Sequence, residues 1–443
     1  MDWRGSLMTR DVRDRDFPVE GETSHPPTAS GGGPLPLSMR EGIHALDRRL
    51  DATSAAPLAV GFSGGGDSLF LLKAVLDWAK PHNRPVLALT VDHQLQPDSA
   101  RWTADAVVKA RALGADARAL IWTGDKPSTG LPAAARRARH ALLAVEAREA
   151  GAKVLLLGHT ASDVAEGAAM RAAGSSVSDP REWAPSPVWP EGRGVFLLRP
   201  LLALTREEIR DALAAAGETW LDDPANTDLR YARARARAAG AIETEPTPAT
   251  TPPPPSFAVD AAGTIRLPRD VAAAHLAAAL LCAAGTERPP RGERLSRLVQ
   301  RLRSGETFAT TLAGARIEAG DDVLVCRDAG ETARGGLASL DLAPGETGVW
   351  DGRWEITAGS RSLRVEPLKG RMAALAPAAR ARLATLSAAA RPALPLLSFS
   401  GNDPHCPALD GPELAAEGGE RVRLLVLDRF KAATGLCDQE SVT

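Results

Sequence analysis

The chain has 443 residues, 44% of them apolar and 24% charged, with a formal net charge of −2. These are ordinary values for two or three folded domains, and they exclude a protein that grips polyanions through its bulk field; nucleic-acid contact would need local arginine clusters. The four cysteines, Cys282, Cys326, Cys406 and Cys437, form no CxxC pair, which excludes a zinc ribbon or redox dithiol and fits a reducing cytoplasm. No apolar run reaches the roughly 18 residues of a membrane span, so the expected setting is cytoplasmic, away from membranes.

Residues 1–38, rich in Gly, Pro, Ser and charge, are expected to be a disordered extension, with Met39 a candidate start. Ordered patterning follows over 39–240. Apolar runs at 58–62, 86–91, 117–122 and 154–157 predict strands buried on both faces. Helical spacing predicts helices over 68–80, 98–113 and 133–150, and a further pair, a strand at 195–198 and a helix at 205–216 capped by Thr205. This alternation argues for an α/β fold, a parallel sheet with helices on both faces. Residues 245–256 hold six prolines in twelve positions, the core of a semi-rigid linker expected over 241–257. Beyond it, 258–443 reads as a smaller α+β region, with helices at 271–284 and 293–303, a hairpin within 307–326 and an Ala/Arg helix near 372–390.

The chemistry concentrates after the first strand. Ser63-Gly64-Gly65-Gly66-Asp67-Ser68 lies between a buried strand and a helix, where backbone N–H groups and the helix dipole favour an anion and glycines allow close approach to phosphate. An acid beside phosphate would repel it, so Asp67 is expected to hold Mg²⁺; the bland alternative is a helix cap. The loop is neither a Walker A sequence nor a dinucleotide GxGxxG turn. It resembles the SGGxDS loop of the PP-loop, N-type ATP pyrophosphatases, which implies ATP cleaved between its α and β phosphates and AMP transferred to a carbonyl oxygen.

Further segments, in order over about 58–237, resemble the tRNA(Ile)-lysidine synthases. Val91-Asp92-His93 with Pro97 and Ser99 is similar to that family's VDHxLRxxS stretch, although Gln96 replaces its Arg. Arg136 and Arg139 match its paired arginines, while Pro132 and His140 replace a Gln and a Tyr. Gly158-His159 followed by Asp163 and Glu166 resembles LGHHxDDQAET, with Thr160, Ser162, Val164 and Gly167 departing from it. Asp223-Pro224, Asn226, Asp228, Arg230, Arg233, Arg235 and Arg237 match the most specific stretch, with Ala225 and Ala234 the exceptions.

The resemblance implies a Rossmann-like, adenine-nucleotide-hydrolase-like domain and a carbon–nitrogen ligase acting on the wobble cytidine of tRNA(Ile) with a CAU anticodon. ATP would contact residues 63–68, Asp92, His93 and His159. Asp163 and Glu166 would meet free L-lysine and the cytidine, with Arg233 also catalytic. Arg136, Arg139, Arg230, Arg235 and Arg237 would meet phosphates. Two rivals stay open: a PP-loop tRNA 2-thiolase, although residues 39–240 contain no cysteine, and a non-catalytic nucleotide- or tRNA-binding module.

Overall fold

The computed structural model describes residues 43–174, 179–221, 252–399, 404–409 and 419–440. The extension at 1–38, and Arg230, Arg233, Arg235 and Arg237 with the Asp-Pro lead-in before them, lie outside these residues. The chain divides into two compact units, Met1–Ala249 with Asp438–Thr443, and Thr250–Cys437.

In the first unit, α1 (His44–Arg49) precedes a Rossmann-like alternation: β1 (Leu58–Gly61), α2 (Gly66–Ala79), β2 (Val86–Asp92), α3 (Ser99–Ala112), β3 (Asp116–Ile121), α4 (Leu131–Glu149), β4 (Val154–Leu157), α5 (Ala161–Ala172), β5 (Trp183–Pro185), β6 (Phe196–Leu198) and α6 (Arg206–Ala215). The sheet order is β3-β2-β1-β4-β6-β5. All neighbours run parallel except β5, which pairs antiparallel with β6. The expected parallel sheet is present; the short antiparallel edge strand is an addition, its Trp183 stacked on Phe196 at 4.9 Å.

The strands form where uninterrupted apolar runs suit burial on both faces, as Leu58-Ala59-Val60 and Val154 to Leu156 do. Phe70, Leu71, Leu72 and Val75 of α2 join one core cluster, and Leu142 and Leu143 of α4 join another with Leu155 and Leu157. Helix α6 starts where expected: Thr205 accepts from Glu208 N while its own N–H donates to Glu208, a reciprocal capping box. Strand order reverses at β1, whose neighbours β2 and β4 lead outward in opposite directions. That switch point puts a crevice at the carboxyl ends of β1 and β4, where open α/β sheets bind ligands.

The second unit begins with a five-stranded antiparallel sheet of β7 (Ala258–Val259), β8 (Ile265–Leu267), β9 (Phe308–Leu312), β10 (Ala315–Ala319) and β11 (Val323–Arg327). It shares an apolar core with α7 (Ala273–Ala284), α8 (Glu293–Arg303) and the final helix, Val426–Ala433. Two three-stranded sheets follow, Leu340–Leu342 with Leu363–Pro367 and Pro395–Phe399, and Thr347–Trp350 with Trp354–Thr357 and Arg421–Leu424.

The hairpin expected within 307–326 is present as β9 and β10, and the turn at Gly320 returns the chain into a third strand, β11. One expectation is corrected here. The Ala/Arg helix near 372–390 is a 3₁₀ turn, Met372–Ala374, and a separate helix, Pro377–Leu383. Proline has no N–H to continue a helix yet suits a first turn, so Pro377 starts a new one. Among the described residues, no helix is long and apolar enough to cross a membrane.

Candidate functional site

The loop after β1 keeps its helix end open to an anion. Gly65 stands at the N-cap of α2 in an extended conformation, and no side chain caps the helix. Ser68 folds back instead: its hydroxyl donates to the Gly65 carbonyl at 2.9 Å and accepts from Ser63 N at 3.2 Å. The loop is thus shaped by its own serines, while the first N–H groups of α2 face a dipole-favoured anion position.

Glycine is required at two points for definable reasons. Gly64 has φ +81° and a Cβ there would lie 2.6 Å from Leu221 Cδ1, with Leu221 N donating to Gly64 O. A Cβ on Gly158 would lie 3.0 Å from the Asp67 carbonyl oxygen. The first contact lays Trp220-Leu221, which lead into the Asp-Pro segment, beside the phosphate loop. The second brings the end of β4 onto the first turn of α2.

That close approach assembles an acidic cluster from three helix starts. Asp67 lies in the first turn of α2, Asp163 and Glu166 on α5, and Arg206 is the first residue of α6. Arg206 Nε donates to Asp67 Oδ2 at 3.1 Å and Nη1 to Glu166 Oε1 at 3.1 Å; Nη2 stands 3.7 Å from Asp163 Oδ2. The starts of α5 and α6 are also joined directly, Arg206 N donating to Ser162 Oγ at 3.2 Å. Burial pushes the Asp67 carboxyl above the usual carboxylate range, against the opposing pull of Arg206. Glu166 is buried and Asp163 nearly so.

The two acids of α5 are therefore not equivalent. Asp163 Oδ2 accepts from Thr160 N at 3.0 Å and Thr160 Oγ1 at 3.2 Å, so it closes a capping box as well as facing Arg206. Glu166, one turn on, has no such duty and points at the guanidinium.

Histidines and arginines gather around the neighbouring strand ends. Asp92 ends β2, buried, and accepts from Gln94 N in a tight turn. His93 follows, edge-on to Trp122, with its imidazole driven down to about 4 by burial and then by Arg139. His159 is buried just beyond β4. On α4, Arg136 is exposed and Arg139 half-buried. His140 beside them is fully buried, neither ring nitrogen hydrogen-bonded, and burial with the repulsion of Arg139 and Arg136 pushes it down to about 2. Arg199, at the end of β6, is buried and lowered to about 10, by burial first and then by Arg136 and Arg139.

Sequence reasoning passes over Arg199 and Arg206. A cation at the first position of a helix opposes the dipole, and that mismatch at Arg206 is the available signal. Also unforeseen is Glu218, buried between Lys73 of α2 (2.5 Å) and Lys109 of α3 (2.7 Å), which anchors the chain just before Trp220. Among the described residues no group of three or more His, Cys, Asp or Glu side chains is arranged to hold a metal unaided.

The profile of the PP-loop domain family, an ATP-using class, matches residues 41–240. A tRNA(Ile)-lysidine synthase of Caulobacter vibrioides is 71% identical over 400 residues, covering 90% of this chain and 98% of that protein. One from Hyphomonas neptunium is 37% identical over 320 residues, covering 65% and 85%. Among solved structures, the U34-tRNA thiolase NcsA from Methanococcus maripaludis aligns with a TM-score of 0.36 at 19% identity, over 45% of this chain and 70% of that one. The match to the Caulobacter protein runs nearly end to end, through both units, and the chain belongs to the tRNA(Ile)-lysidine synthase family.

Proposed function

We infer that this chain joins L-lysine to C2 of the wobble cytidine in tRNA(Ile) bearing a CAU anticodon. ATP is consumed in two steps. The cytidine O2 attacks the α-phosphorus, pyrophosphate leaves, and the adenylated base is then attacked at C2 by the lysine ε-amine with loss of AMP. The observation that carries this reading is the meeting, in a chain so close to its relatives, of a phosphate-loop carboxylate with the two α5 carboxylates around one guanidinium.

The loop 63–68 and the start of α2 receive the ATP phosphates, with Asp92, His93 and His159 at adjoining strand ends. The donor set around Asp67 fits Mg²⁺: one hard carboxylate at a phosphate-binding helix end, needing the phosphates and water to complete its coordination. Mg²⁺ there supplies charge neutralisation for pyrophosphate departure. Arg136 and Arg139, with Arg199 behind them, supply fixed positive charge for phosphates of ATP or tRNA. Glu166 and Asp163 receive the lysine ammonium, whose pKa of about 10.4 makes an anionic pocket its natural partner and requires a base before attack. Arg233 is assigned to catalysis, and Arg230, Arg235 and Arg237 to tRNA phosphates, on the family resemblance alone. The second unit is assigned to gripping tRNA.

The test is incorporation of labelled lysine into a tRNA(Ile) transcript, dependent on ATP and on cytidine at the wobble position. A uridine substitution there should abolish labelling. Asp67→Ala should abolish AMP transfer with the fold retained; equal labelling of both transcripts, or full activity in that variant, sinks the reading.

A further inference from the structure

Arg206 occupies the place where a positive ligand would be sought. Among the described residues, three carboxylates from two helices meet this one guanidinium. Its side chain is only 18% exposed, and its position at the first residue of α6 runs against the helix dipole. The carboxylates hold it there. Conversely, Asp67, Asp163 and Glu166 would repel one another without it, and burial already makes the Asp67 charge costly. Arg210, one turn along α6, adds only a weaker attraction to Asp67.

The oxygen that Arg206 Nε engages, Asp67 Oδ2, belongs to the carboxylate assigned above to Mg²⁺. A hard cation approaching that oxygen and an N–H donating to it compete for the same lone pairs. We propose that Arg206 is a positioning residue that serves as a resident counter-cation: it keeps the three carboxylates together before substrates bind, and it yields Asp67 when the metal arrives with ATP while keeping its hold on Glu166. Metal loading and the arrangement of the lysine-facing acids are thereby coupled through one side chain. This rests on the metal role of Asp67, and the experiment separates the two.

The measurement is Mn²⁺ binding to the full-length protein with α,β-methylene-ATP, read from the electron paramagnetic resonance signal of free Mn²⁺. With the competitor removed, Arg206→Ala should bind Mn²⁺ about tenfold or more tighter, the order of one charge-assisted hydrogen bond. Arg206→Lys keeps the charge but loses the fork, so its gain should be smaller. Combining Asp67→Asn with Arg206→Ala should erase the gain. A purely architectural role predicts the opposite direction, because a disordered cluster binds metal more weakly. Unchanged or weakened Mn²⁺ affinity in both Arg206 variants, with Asp67→Asn alone still weakening binding, overturns the competition and leaves the metal role of Asp67 standing. If Asp67→Asn alone binds Mn²⁺ like the parent protein, the metal role falls and the competition falls with it.

Discussion

Glu166 and Asp163 carry the same charge, and their sequence spacing puts both on one helix face, yet their surroundings separate them. Replacing Asp163 by Asn disturbs the Thr160 capping box as well as the pocket, and a lost cap alone costs about 1 kcal/mol. Glu166→Gln is the cleaner probe, since its carboxylate answers to Arg206 and not to its own helix end. If Glu166 meets the lysine ammonium, losing one partner of a buried pair costs about 3–5 kcal/mol, a few hundred-fold or more. The lysine KM should rise by that order while tRNA adenylation is largely kept; unchanged lysine dependence in Glu166→Gln removes it from the pocket. His140 offers a different test. Its folded value of about 2, against an ordinary 6.5, means the unfolded chain takes up the proton first as pH falls. Its contribution is complete above pH 6.5 and is lost as pH drops from 6.5 towards 2, by up to about 1.4 kcal/mol per pH unit. His140→Phe removes that slope and leaves no hydrogen bond unmade, so its urea midpoint should fall less between pH 7 and pH 5 than that of the parent chain. Equal falls would place the sensitivity at other groups, His93 first, whose window runs from 6.5 down to about 4.

At the scale of elements, legibility follows burial. The runs that form β1, β2 and β4 are readable because both faces of a parallel strand demand apolar residues, and the phosphate loop because its glycines and serines sit between strand and helix. Beginnings of helices are readable too, as Thr205 shows, because a cap is a local matter. What eludes the sequence is set by tertiary approach: that Gly158 brings β4 onto Asp67, that Arg206 reaches across to two other helices, and that Trp183–Pro185 adds an antiparallel edge. In the second unit short strands with mixed burial leave little periodicity to read. One element there is open to test. Around α8, Arg291, Arg294 and Arg303 are exposed while Leu298, Val299 and Leu302 face the core. If these arginines, at the two ends of α8, grip the tRNA backbone, replacing all three by Gln should weaken binding of any tRNA. It should also flatten the dependence of log K on log salt by up to about three, roughly one for each phosphate no longer neutralised. An unaltered salt slope would move the tRNA grip to another face.

At the scale of the whole molecule the first unit is built from both ends of the chain. The proline-rich linker at 241–257 leads one to expect everything after it in the C-terminal region, but Asp438 and Glu440 close on the first unit. Glu440 accepts two bonds from Arg84, at 2.7 and 2.9 Å, with both side chains fully shielded from solvent. Glu440 Oε2 also accepts from Asp51 N, and Glu440 N donates to Arg49 O. Arg84 spends its remaining donors on the carbonyls of Asp51 and Ala56. It stands just before Pro85, whose carbonyl accepts from Leu58 N at the opening of the β1–β2 pair. No spacing rule links positions 84 and 440, which is why this pair is invisible in the sequence. A buried guanidinium deprived of its carboxylate costs about 3–5 kcal/mol, and glutamine, keeping one acceptor, should fall near the low end. Glu440→Gln should therefore lower the urea midpoint and speed hydrogen exchange at Leu58 and its β2 neighbours. The clasp lies at the amino ends of these strands and the phosphate loop at their carboxyl ends, so the KM for ATP should stay within about twofold. Truncation after Cys437 should produce the larger loss, since it removes the backbone bond to Arg49 as well. Exchange rates and midpoints equal to those of the parent chain in both variants would show that the tail lies on the first unit without holding it.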